Sequence, residues 1–121
     1  MGHGVEGRDA SAAQLDAETA EAVARTLQAL AAPSRLLILS RLRTQPATVG
    51  ELADGLGLEQ SAVSHQLRLL RMMGLVTSTR HGRHVTYRLY DQHVAALLDE
   101  TVYHAEHVRL GRPDTDTARR R

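Results

Sequence analysis

The sequence predicts a mainly α-helical domain carrying a single β-hairpin, and three observations carry that prediction. Apolar residues recur at helical spacing in four segments before Gly74 and in one after Asp91. Between them the period drops from 3.6 to 2, and β-branched residues take over. Composition supplies the third: 42% of residues are hydrophobic but only 2% aromatic, with neither Phe nor Trp. A core of Leu, Val, Ala and Met suits packed helices better than a large sheet. The chain of 121 residues has room for one domain.

The elements follow in order. Residues 1–14 form a polar leader, the domain proper runs over 15–110, and 111–121 is a polar tail. Leu15 to Ala32 reads as an Ala-rich helix with Leu15, Ala22, Val23, Leu27 and Leu30 on one face. Its acidic residues, Asp16, Glu18 and Glu21, stand in the first turns, where the helix dipole favours them. Pro33 ends it, and Ser34 is the expected cap of a short apolar helix over 34–43. Thr44 to Ala47 is a loop. Thr48 caps a third helix, Val49 to Leu56, with Glu51 completing a capping box. Gly57 breaks it. A fourth helix, Gln60 to Met73, stops at Gly74. Two helices joined by a Gly-containing turn form a helix-turn-helix. Residues 75–79 and 85–90 pair as a hairpin with Gly82 at its tip. The whole is a winged helix-turn-helix. A last helix spans about 91–109.

Several function classes drop out. The absence of Cys excludes disulfide scaffolds, thiolate metal sites and thiol chemistry. No apolar run is long enough to span a membrane, and the N-terminus lacks a signal-peptide core, so a cytoplasmic protein is expected. Charge is unevenly spread. Residues 59–88 set Glu59 against Arg68, Arg71, Arg80, Arg83 and Arg88. Residues 91–107 hold Asp91, Asp99, Glu100 and Glu106 with no Arg. The basic middle suits phosphate, and the acidic stretch suits a cation.

The fourth helix reads as the DNA-binding element. Val63, Leu67 and Leu70 make its buried stripe, while Ser61, Ser64, His65, Gln66 and Arg68 are hydrogen-bonding residues toward its N-terminus. A recognition helix enters the major groove by that end. There Gln can pair with adenine and Arg with guanine. Arg83 and His84 in the wing can reach phosphate or the minor groove.

Quoted together, these segments resemble the ArsR/SmtB family: Ala32-Pro33-Ser34-Arg35-Leu36, Glu51-Leu52-Ala53, Gln60 to Leu67, and Gly82-Arg83 with Tyr87 and Leu89. The resemblance runs from about residue 15 to 109. It implies a winged-helix repressor, homodimeric through its terminal helices, that leaves operator DNA when a metal binds. The opening Met1 to Arg8, Tyr90 to Val94, Leu97 to Glu100, Tyr103-His104 and Glu106-His107 resemble the nickel- and cobalt-sensing members.

The last helix supports a metal site on its own spacing. His93 and His104 lie 11 residues apart, three turns plus about 20°, on nearly one face. They are also roughly 16 Å apart along the axis, so one ion cannot bind both from one helix. His104 and His107 are neighbours at i,i+3, and Asp91 and His93 lie together at the helix start. An antiparallel copy brings Asp91 and His93 of one chain to His104 and His107 of the other, making two equivalent sites per dimer. Leu97, with Thr101 and Val108 at its edge, lies between those sites. One carboxylate and three imidazoles complete a tetrahedral Zn(II) set. Ni(II) and Co(II) prefer more donors. The resemblance implies that these are His3 and the amine of Gly2, freed by removal of Met1.

Three other functions are weighed. A zinc-responsive repressor of the same family needs only the four residues of the last helix. A metal-dependent hydrolase lacks an HExxH, a serine elbow and an open coordination position. A sensor of an organic small molecule leaves Asp91, His93, His104 and His107 unexplained, and no such ligand is expected.

Overall fold

The computed structural model describes residues 14–111, and its element order is α1 (Ala17–Leu30), α2 (Pro33–Thr44), α3 (Val49–Leu56), α4 (Gln60–Met72), β1 (Val76–His81), β2 (His84–Leu89) and α5 (Gln92–Leu110). The predicted elements are all present, and their ends differ for identifiable reasons. Asp16 is not inside the first helix but caps it, its Oδ1 accepting from the Thr19 N–H at 2.8 Å. Ser34 does not cap the second. Pro33 occupies its first turn and Ala32 stands at the N-cap with no side-chain bond. Proline there loses nothing, because its missing N–H would have had no helical partner and its φ is already helical.

The capping box of α3 forms as the sequence spells it. Thr48 Oγ1 accepts from the Glu51 N–H at 3.1 Å, and Glu51 Oε1 accepts from the Thr48 N–H at 2.9 Å. Gly57 closes α3 at φ 69°, a left-handed conformation that a side chain disfavours. Leu58 N–H returns to Ala53 O at 2.9 Å and turns the chain into α4.

The wing is longer than its β-branched residues suggest. Register runs from Val76 opposite Leu89 to His81 opposite His84, so Arg80, His81 and His84 belong to the ladder. Only Gly82 and Arg83 remain at the tip. Gly82 has φ 65°, and no non-glycine residue among those described has a positive φ. That combination is the pattern of a type II′ turn. Ala47, read as loop, makes a two-way bridge to the wing: its N–H donates to Tyr87 O at 3.0 Å, and Tyr87 N–H donates to Ala47 O at 2.8 Å.

One apolar core joins the elements. Ile38, Leu39, Ala47, Leu52, Val63, Leu67 and Leu70 are fully buried, with Val76 beneath the wing. Val94 and Leu98 seat the first half of α5 on this core, and its second half stands exposed. Leu97 is half-buried against the core of its own chain. No helix among the described residues is long and apolar enough to cross a membrane.

Candidate nucleic-acid interface and metal site

Burial of Val63, Leu67 and Leu70 fixes the rotation of α4 and therefore which residues it offers to solvent. Ser61, His65 and Arg68 are exposed along one stripe, and Met72 continues it. Ser64 is half-buried and, with Arg68, Arg71, Met72 and Tyr87, lines a cleft of about 440 Å³ between α4 and the wing. No acidic residue lies on α4. Arg83 and His84 are exposed at the hairpin tip.

Gln66 differs from its companions. It is half-buried, and its Oε1 accepts from Arg35 Nη1 at 3.1 Å. In the sequence Arg35 reads only as part of a short apolar helix. A signal was present: Arg35 shares a stripe with Ile38, Leu39 and Leu42, and a cation on a buried face requires partners. Arg71, also unassigned, approaches Ser78 Oγ at 3.4 Å and ties α4 to β1. Arg88 donates to Thr79 Oγ1 at 2.7 Å across the outer face of the wing.

The four candidate ligands of α5 fall into two groups at its two ends. Asp91 caps the helix: its Oδ1 accepts from the N–H groups of His93 at 2.9 Å and Val94 at 3.2 Å. Its Oδ2 lies 3.3 Å from His93 Nδ1. Partial desolvation pushes the Asp91 carboxyl up, but bonds from the His93 side chain and the Val94 and His93 backbones outweigh it and hold it below its ordinary value. The site thus offers a carboxylate oxygen beside an imidazole that is 75% exposed. At the far end His104 is exposed. His107 is half-buried, with Nδ1 3.1 Å from Tyr103 O and its ring 4.2 Å from the Tyr103 ring. No three His, Asp or Glu side chains that could share an ion come together among the described residues of one chain. Gly2 and His3 lie outside the described residues.

The outer surfaces are apolar where a second copy is expected. Val23 and Leu27 on α1 and Val102, Tyr103 and Val108 on α5 are exposed. Between α2 and α5 an apolar groove of about 630 Å³ runs past Leu37, Leu98 and Val102. At its rim Arg43 and Asp99 form a two-pronged ion pair at 3.1 and 2.8 Å, a link from α2 to α5 between residues 56 positions apart that no local pattern signals.

A helix-turn-helix with an acid-free second helix and a basic hairpin beside it defines a winged helix-turn-helix DNA-binding domain. Comparison with known proteins agrees. The model of the bacterial regulatory protein arsR family matches residues 32–78, from α2 into β1. The transcriptional regulator NmtR of Mycobacterium tuberculosis is 60% identical over 94% of this chain and 95% of its own. The solution structure of apo-NmtR superposes with a TM-score of 0.70, covering 93% of this chain and 95% of that one. A homodimeric winged helix-turn-helix domain from Mycobacterium bovis, described as a possible ArsR-family regulator, is 33% identical with a TM-score of 0.70, covering 79% of this chain and 91% of that one. The chain belongs to the arsR family. It is a DNA-binding transcriptional regulator and not an enzyme.

Proposed function

We propose that this protein is a homodimeric repressor whose hold on operator DNA is released by Ni(II) or Co(II) at two equivalent sites between the α5 helices. The observation that carries the reading is the division of α5. Its donors stand in two pairs at opposite ends, and neither pair alone encloses an ion. An antiparallel second α5 supplies the missing half of each. Asp91 Oδ2 and His93 of one protomer then hold one side, and His104 and His107 of its partner hold the other. Asp91 can ligate through Oδ2 while Oδ1 keeps the helix cap. The ion, when bound, supplies a cross-link between the two α5 helices.

Those helices also position the DNA-binding halves. Val94 and Leu98 root α5 in the core that carries α4, so a change in how the α5 helices meet changes the spacing of the recognition helices. Metal shifts DNA binding only by its differential affinity for the two dimer states, and the coupling is reciprocal. Ser61, Ser64, His65 and Arg68 face the major groove in this reading, and Arg83 and His84 face phosphate. The high identity to NmtR, solved in a form described as apo, supports a ligand-responsive regulator. Gly2 and His3 complete the larger donor set that nickel and cobalt prefer. The donor count favours one second reading. Asp91 and three imidazoles are already a full tetrahedral set, which makes a zinc-responsive repressor.

Operator binding by the protein beginning at Gly2, with Ni(II), Co(II) and Zn(II) at buffered free concentrations, separates the two. Release by nickel or cobalt that is abolished by extra residues before Gly2 is the expected result. Release by zinc alone, indifferent to the extension, overturns the nickel and cobalt reading in favour of the second.

A further inference from the structure

Arg35 makes three hydrogen bonds to two different helices. Its Nε donates to Ala29 O at 2.6 Å, its Nη2 to Gln28 O at 3.2 Å, and its Nη1 to Gln66 Oε1 at 3.1 Å. Gln28 and Ala29 stand in the last turn of α1, where the dipole is negative; Gln28 O already accepts from the Ala31 N–H at 3.0 Å, and Ala29 O meets Pro33, which has no N–H, at the i+4 position. Gln66 lies in the middle of α4. The arginine itself sits at the start of α2, which packs against both.

We infer that Arg35 is a positioning residue that locks the recognition helix to the end of α1, and that Gln66 is its internal strut rather than a reader of bases. Pairing with adenine takes both the oxygen and the nitrogen of a glutamine amide. Here the oxygen already accepts from Arg35 on a half-buried side chain. Only a planar fork reaches two carbonyls and an amide at once; a lysine ammonium on one stem does not reproduce that fan of donors. The consequence is mechanical. The α1 helix carries Val23 and Leu27 on the exposed apolar surface assigned above to the dimer. Through Arg35, the seating of α1 sets the pose of α4, and Gln66 holds that pose from within. The inference rests on α4 being the DNA-reading helix.

The test compares wild type, Arg35→Lys, Gln66→Met and the double variant, all as full-length apo protein. The probe is a duplex selected by the wild type from a pool of random-sequence duplexes. That selection tests the DNA-binding reading separately. Each single substitution is expected to weaken binding about five- to tenfold, the scale of one net intramolecular hydrogen bond. The double variant is expected to bind no worse than the weaker single, because both remove one link. Base preference at every position of the duplex should stay as in wild type. Thermal stability of the two singles should be non-additive in the same way, with no DNA present. If Arg35→Lys does not fold, Gln66→Met still decides: uniform weakening supports the strut. Relaxed preference at one base pair overturns the strut and makes Gln66 a reader. Lower melting temperature with unchanged DNA affinity, or additive losses, also overturns the inference.

Discussion

Asp99 and Asp91 show how two carboxylates of one helix take different work from their neighbours. Asp99 accepts two bonds from Arg43, and the arginine holds its carboxyl below the usual carboxylate value despite some desolvation. A depressed folded-state value means stability that is present above the unfolded value of 3.8 and lost as pH falls through the folded one. Between about pH 5 and about pH 3 the wild-type melting temperature should therefore fall more steeply than that of Asp99→Asn. Parallel curves would show that the pair contributes nothing, as many exposed ion pairs do. Asp91, by contrast, spends one oxygen on the helix cap and keeps the other beside His93. At this scale the placement of the candidate α5 donors is legible in the sequence, because a His pair at i,i+3 and an Asp at a helix start are local patterns. Arg35, Arg43 and Arg71 were not visible as partners. Their bonds reach residues 31, 56 and 7 positions away, and spacing along the chain does not encode such contacts.

The elements were the most legible scale. Period changes, the Thr48–Glu51 box and glycines at 57, 74 and 82 each act within a few residues, and each is found where the sequence places it. Differences arose where two local rules competed. Pro33 can close one helix or open the next, and it opens α2. Residues 80–84 lack strand composition, yet pairing carries β1 and β2 to the two-residue turn. Thr48→Ala removes one half of the capping box and should cost about 1 kcal/mol. At fixed protein concentration that is a fall of several degrees in melting temperature, on the order of 4–8 °C for a domain of this size. An unchanged melting temperature would mean that the turn into α3 is held by Ala47 pairing with Tyr87 rather than by the cap.

At the scale of the molecule, the core supports α4 and the wing and leaves apolar residues exposed on α1, at Val23 and Leu27, and on the second half of α5, at Val102, Tyr103 and Val108. The two candidate ligand pairs of α5 do not make a site within one chain, so the function proposed here belongs to the dimer. The sequence anticipated that division from an axial distance alone. Contacts such as Arg35 with Gln66 are not legible there, since they depend on side chains meeting across helices. The most direct test is metal binding by a mixed dimer. One protomer carries Asp91→Ala with His93→Ala, and the other carries His104→Ala with His107→Ala. Each variant alone, as a homodimer, should bind no Ni(II) or Co(II) at these sites. Mixed, the intact ends meet at one interface, and the heterodimer should recover one ion per dimer with the spectrum of the wild-type site. A heterodimer that binds none, while wild type binds two, would contradict an inter-subunit site between antiparallel α5 helices.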